Sequence, residues 1–106
     1  MNEQIQALQD PNTVVVDLDF GITRGADVIK SITLRKPKTG ALRGLKLADV
    51  LNVDVNAIIQ LLPRITVPAI TAAEAADLDP ADFTTLATGI LSFFVTQATK
   101  EQSQLS

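Results

Sequence analysis

The stretch Thr13-Val14-Val15-Val16-Asp17-Leu18-Asp19-Phe20 decides the reading of the chain. Val14, Val16, Leu18 and Phe20 recur at every second position, with Asp17 and Asp19 between them. A period of two with β-branched residues predicts a strand with one buried and one solvated face. Residues 28–35 alternate again, placing Val28, Lys30, Ile32 and Leu34 on one face. Arg24-Gly25-Ala26-Asp27 lies between the two runs and reads as a turn. The pair predicts a β-hairpin over residues 13–36. A lone hairpin is marginal in water, so it must pack against helices or another chain.

Beyond Lys36-Pro37-Lys38-Thr39-Gly40 the apolar period lengthens to that of a helix. Leu42, Leu45, Leu47, Val50 and Leu51 form a short amphipathic segment. Asp54 or Asn52 then provides an N-cap for a helix with Val55, Ile58, Ile59 and Leu62 on one face. Pro63 is expected to end that helix, because the residue before a proline disfavours the α region. Pro68 keeps residues 64–70 extended or irregular. Thr71 with Glu74 fits a capping box opening a helix over residues 72–78. Asp79-Pro80-Ala81-Asp82 supplies a cap, a proline at the first helical position and an acid in the first turn.

The last helix is expected from Pro80 to about Ala98. Phe83, Leu86, Ala87, Ile90, Phe94 and Ala98 line one face, widened by Leu91, Phe93 and Val95. Gly89 within it costs about 1 kcal/mol of helix propensity and allows another backbone to pack closely. The expected fold class is α+β: an N-terminal β-hairpin, then three to four short helices, then a longer amphipathic helix. The order is β-β-α-α-α-α. Residues 13–98 form one domain, with a helical part over 41–98, a frayed segment over 1–12 and a polar tail over 99–106.

Composition narrows the chemistry. The 106 residues include no Cys, His, Trp or Tyr. Disulfides, thiolate nucleophiles and Cys-ligated metals are excluded. So is any catalytic device built on an imidazole. The spacing of Asp77, Asp79 and Asp82 does not match an EF-hand loop, and their helix-start roles account for them. No catalytic, cofactor or metal residue is nominated, and no enzymatic activity is expected. The longest apolar runs fall far short of the roughly 20 residues that span a bilayer. Residues 1–10 lack the charge and apolar core of a secretory signal. These readings predict a cytoplasmic protein without membrane contact.

Hydrophobic residues make up 46% of the chain, and mean hydropathy is +0.24, more apolar character than one small core hides. Charge is segregated: residues 1–23 carry −4, residues 24–46 carry +6 and residues 47–106 carry −5. The basic segment holds Arg24, Lys30, Arg35, Lys36, Lys38, Arg43 and Lys46. It opens the alternative of a nucleic-acid-binding module. A pI near 4.7 and the lack of aromatics among the cations favour a solvated surface and no nucleic-acid partner. Arg64, held between Pro63 and Pro68, has Asp79, Asp82 or a carboxylate of another protein as its expected partner.

A resemblance becomes specific across the middle of the chain. Its elements include Ile32-Thr33-Leu34-Arg35-Lys36-Pro37, Gly40-Ala41-Leu42-Arg43-Gly44-Leu45 and Leu47-Ala48-Asp49. They continue with Leu61-Leu62-Pro63-Arg64-Ile65-Thr66, Pro68-Ala69-Ile70-Thr71, Glu74 and Leu78-Asp79-Pro80-Ala81-Asp82. In this order, over residues 32–94, the chain resembles the small tail assembly chaperones of contractile-tailed bacteriophages and prophages. That resemblance implies a non-enzymatic protein made in the host bacterial cytoplasm and absent from the mature virion. It implies binding to the tape measure protein, which it keeps soluble while tail-tube protein assembles. It also implies a longer form made by ribosomal frameshift. A structural tail subunit is the further alternative. The apolar face of the last helix, Phe83, Leu86, Ile90, Leu91, Phe93, Phe94 and Val95, is the expected protein-binding surface. Within it, Phe83, Leu86 and Ile90 are expected core members, and Phe93 and Val95 exposed contacts. The apolar excess and the uncovered hairpin edge predict a homo-oligomer.

Overall fold

A computed structural model of the chain describes residues 11–95. Of the expected frayed segment over residues 1–12, residues 1–10 lie outside the described residues, as do the polar tail and the helical turn reaching Ala98, while Asn12 O accepts the Lys36 N–H at 2.8 Å. Strand β1 (Thr13–Arg24) and strand β2 (Asp27–Arg35) form the expected antiparallel hairpin. Arg24 pairs with Asp27 across a two-residue loop, and Gly25 takes the positive φ (59°) that a type II′ loop places at its first position. A two-residue strand β3 (Thr66–Val67) adds to β2, giving the sheet order β1-β2-β3. Helices α1 (Leu47–Leu51), α2 (Val55–Ile65), α3 (Ala72–Ala76) and α4 (Pro80–Ser92) follow the order read from the sequence. A short 3₁₀ turn (Thr39–Leu42) precedes α1.

One core unites the sheet with α2 and α4. Val16, Leu18, Ile32 and Leu34 from the sheet meet Ile58, Leu61, Leu62 and Ile65 of α2 and Leu86 and Ile90 of α4. Asp54 caps α2 by accepting the Ala57 N–H at 3.0 Å. The α1–α2 junction closes as a Schellman motif. Asp54 N–H reaches Asp49 O at 2.9 Å, and Val53 N–H reaches Val50 O at 3.0 Å. Val53 occupies the left-handed position (φ 59°) that glycine commonly takes, and its half-buried side chain packs on the core.

Pro63 does not end α2, which continues to Ile65. The missing proline N–H removes one hydrogen bond near the helix end, and burial of Leu61, Leu62 and Ile65 outweighs it. Thr66 terminates the helix instead. Its buried hydroxyl donates to Leu62 O at 2.8 Å and accepts the Ile70 N–H at 3.1 Å. Val55, expected on the buried face of α2, is 57% exposed, while Ala57 is buried.

The hairpin departs from simple alternation at one place. Asp17 pairs with Ser31 and Ile22 with Ile29, so residues 18–21 of β1 stand opposite Lys30 alone. This bulge breaks the face assignment read from the sequence. Phe20, expected inward, is 62% exposed, and Ile22 takes the buried position beyond it. On β2 the phase also changes. Val28 and Lys30 lie at the surface, Ile29 is half-buried, and the Lys30 Nζ donates to Asp19 O at 3.0 Å.

Candidate protein-binding surface

The surface nominated from the sequence is carried by α4. Asp79 accepts the Ala81 N–H at 2.9 Å as N-cap, and Pro80 occupies the first helical position. Asp82, expected only to favour the helix dipole, is 1% exposed and reaches across to the bulge of β1. Its Oδ1 accepts the Asp19 N–H at 2.7 Å. Its Oδ2 accepts the N–H groups of Phe20 at 3.1 Å and Gly21 at 3.0 Å. Three hydrogen bonds compensate the burial of the carboxylate and satisfy the strand donors that the bulge leaves without ladder partners. Further along α4, a Cβ at Gly89 would stand 2.8 Å from Leu34 Cδ1 and 3.3 Å from Val16 Cγ2. The absent side chain lets α4 lie close on the sheet's side chains, rather than on another backbone.

Helix α4 ends at Ser92, short of the expected Ala98. Its last turn tightens: Phe93 N–H bonds Ile90 O, and Phe94 N–H bonds Leu91 O, each at 3.0 Å. The Ser92 hydroxyl donates to Gly89 O at 2.6 Å. A competing side-chain bond and a following run of aromatic and β-branched residues weaken helix propagation here.

Of the seven nominated residues, Leu86 and Ile90 are fully buried in the chain's own core. Phe83, Leu91, Phe93 and Phe94 are half-buried, and Val95 is 40% exposed. Within the nominated face, and apart from Phe83, the incompletely covered side chains thus lie at the end of α4 and just beyond it. Phe83 lines a separate shallow groove of about 250 Å3, with Val55 and Ile59 of α2 and Ala75, Leu78 and Pro80. Sequence reading placed neither Val55 nor Phe20 at the surface.

Charged residues sort into distinct places. Arg24 binds Glu74 through Nε–Oε2 and Nη2–Oε1 contacts of 2.8 Å each, and its Nη2 also donates to Ala69 O at 2.6 Å. Glu74 closes the capping box, accepting the Thr71 N–H at 2.9 Å while Thr71 Oγ1 accepts the Glu74 N–H at 3.0 Å. The Arg24 hydrogen bonds first, and the Thr71 N–H second, hold the Glu74 carboxyl at about 2, well below its ordinary 4.5. Reciprocally, Glu74 pushes the Arg24 guanidinium upward. Arg64 meets neither Asp79 nor Asp82. Its Nη1 donates to Ala41 O at 2.8 Å and Arg43 O at 2.7 Å, tying α2 to the 3₁₀ region. Arg35, Lys36 and Lys38 instead line an open cleft of about 640 Å3 at the open end of the hairpin. The +6 segment is therefore not one continuous stripe.

Among the described residues, no group of three or more acidic, His or Cys side chains could hold a metal ion. No helix among them is long and apolar enough to cross a membrane. The described residues form a small α+β fold, with incompletely covered apolar side chains at the end of α4 and a cleft lined by cations at the open end of the hairpin. The pattern of the family described as phage tail assembly chaperone proteins, E, or 41 or 14, matches residues 15–95, and the chain belongs to this family. Tail assembly protein E of Escherichia phage P2 is 44% identical over 79 residues, covering 74% of this chain and 87% of that protein. Tail assembly protein E′ of the same phage is 43% identical over 83 residues, covering 78% of this chain. The chain spans only 58% of the length of E′. No solved structure matches the chain. The family match begins at residue 15 and so includes β1, which the resemblance read from the sequence left out.

Proposed function

We propose that the chain is a non-enzymatic chaperone that binds the tape measure protein and keeps it soluble during tail morphogenesis. The observation that carries this reading is the cluster of incompletely covered apolar side chains at the end of α4: Leu91, Phe93, Phe94 and Val95. Family membership supplies the assembly context. A long apolar helix of the client buries its surface there at about 25 cal/mol per Å2. The protein acts in the host cytoplasm, hands the client to tail-tube protein, and is absent from the finished virion. The two relatives from one phage, of different lengths, support a short form accompanied by a longer one.

Co-expression with the tape measure protein tests the reading. The chaperone raises the soluble yield of that protein and co-purifies with it. Replacing Leu91 and Val95, neither of which packs in the core cluster, with Ser abolishes both effects while the fold persists. Unchanged solubility and no complex would refute the proposal, as would finding the chain in purified particles by mass spectrometry.

A further inference from the structure

The helical half carries a second apolar surface, the groove of about 250 Å3 between α2, α3 and the start of α4. Helix α2 contributes Val55 and Ile59, and the run from α3 into α4 contributes Ala75, Ala76, Leu78 and Phe83. Ile59, Leu78 and Phe83 are half-buried and pack on the core, whereas Val55 is 57% exposed and packs on nothing within it. Phe83 precedes Leu91 by eight positions, about 12 Å along α4, so the groove is separate from the surface at the helix end.

The surroundings of the groove are anionic. Asp54, Asp77 and Asp79 directly adjoin the lining residues Val55, Leu78 and Pro80 in the chain, and Asp54 and Asp77 are exposed. Asp54 and Asp79 each use one oxygen for a helix cap, and Asp77 makes no ion pair among the described residues. Between residues 47 and 95 the one cation is Arg64, and the Ala41 and Arg43 carbonyls hold it. Arg24, which reaches α3 from the hairpin, is bound to Glu74. The walls are helix sides, which offer no row of free N–H and C=O groups to an extended chain. An occupant that covers Val55 without burying unpaired backbone groups is therefore itself helical. The volume lies below the roughly 300–1,000 Å3 of small-molecule pockets and suits anchoring side chains instead.

We infer that this groove docks an amphipathic helix of a partner protein, apolar at i, i+3, i+4 and i+7, with Lys or Arg beside the apolar stripe. The stripe covers Val55, Ile59 and Phe83, and the cations meet Asp54, Asp77 and Asp79. The inference stands apart from the client role proposed for the end of α4.

A synthetic helical peptide with Leu at those four positions, flanking Lys and one Trp tests it. The full chain has no Trp or Tyr, so the fluorescence reports on the peptide alone. The chain binds this peptide about tenfold or more tightly than a counterpart with Glu in place of Lys, and rising salt narrows the gap. Ala76→Arg, at an exposed lining position, weakens binding about tenfold or more by repelling the Lys flanks and filling the groove. Val55→Ser weakens it about threefold to tenfold, the effect of one lost apolar contact. Circular dichroism melts matching the parent establish that both variants fold, and if Val55→Ser melts lower, Ala76→Arg carries the decision. A chain that binds neither peptide, binds both alike, or binds the Lys-flanked peptide equally well in both variants would overturn the inference. So would variants that lose self-association while still binding the peptide, which would assign the groove to a second copy.

Discussion

The Asp82 carboxylate accepts the backbone N–H of Asp19 at 2.7 Å, joining residues 63 positions apart in the chain. The same side chain holds the next two N–H groups of the bulge. One residue in the first turn of α4 therefore fixes how the helix meets the sheet and which way Phe20 points. Helix capping alone would leave an acid at this position exposed to solvent.

Asp82→Ala leaves three strand donors without the buried carboxylate that accepts them. Hydrogen bonds to a charged group contribute about 1.5–3 kcal/mol each and are not additive, so the expected loss is about 3–5 kcal/mol. Urea unfolding followed by far-ultraviolet circular dichroism measures it. Hydrogen exchange at Asp19, Phe20 and Gly21 accelerates first. A loss below about 1 kcal/mol would show that water replaces the carboxylate.

Gly21 sits at φ 82°, and an added Cβ would lie 2.6 Å from the Ile29 carbonyl oxygen, a backbone atom. Gly21→Ala is expected to cost about 2 kcal/mol or more, through the left-handed conformation together with the clash. Gly25→Ala, at φ 59° in open space, bears the conformational part alone, about 1–2 kcal/mol. Equal melting temperatures for the two variants would contradict this ordering.

Glu74 gives the stability a defined acid limb. Its folded-state carboxyl titrates at about 2 against an ordinary 4.5. A lowered folded value contributes stability that is complete above the ordinary value and lost as pH falls toward the folded one. Melting temperature should therefore decline between about pH 4.5 and 2, and the Glu74→Gln variant should show a shallower decline there. Parallel curves for parent and variant would exclude the Arg24–Glu74 contact as a source of the acid limb.

Gly89→Ala tests the close approach of α4 to the sheet. Helix propensity alone favours Ala by about 1 kcal/mol. The new Cβ would press on Leu34, which is fully buried, and on Val16, and overpacking costs typically about 1–3 kcal/mol. The variant is expected to be no more stable than the parent, and Gly89→Leu clearly less stable. A stabilised Gly89→Ala would mean that the helix moves away without cost.

Local signals in the sequence were read well where neighbours along the chain complete one another. The Thr71–Glu74 capping box, the Asp54 and Asp79 caps and the Gly25 turn each depend on residues within a few positions, so spacing alone specifies them. Alternation over Val14, Val16 and Leu18 likewise reports the strand. It fails at Phe20, because the bulge is stabilised by an acceptor from α4 that no periodicity can reveal. Arg64 illustrates the same limit. Its charge favoured Asp79 or Asp82, whereas Asp79 caps its own helix, Asp82 is closed inside the protein, and two carbonyls of the 3₁₀ region lie within reach.

For the candidate surface, the apolar character of α4 was legible, but its division between core and solvent was not. Leu86 and Ile90 are covered because α4 lies on the sheet at Gly89, and the helix stops at Ser92 before its apolar stripe is used up. By itself the sequence determined the α+β class, the hairpin, the order of the helices, the caps and the family, but not the two-residue strand β3 between α2 and α3. Only the tertiary structure decided the outward turn of Phe20, the burial of Asp82 and the carbonyl partners of Arg64. The reason is physical: caps and periodicities are satisfied by atoms a few residues away, whereas burial and pairing of a side chain depend on which distant segments the folded core brings against it.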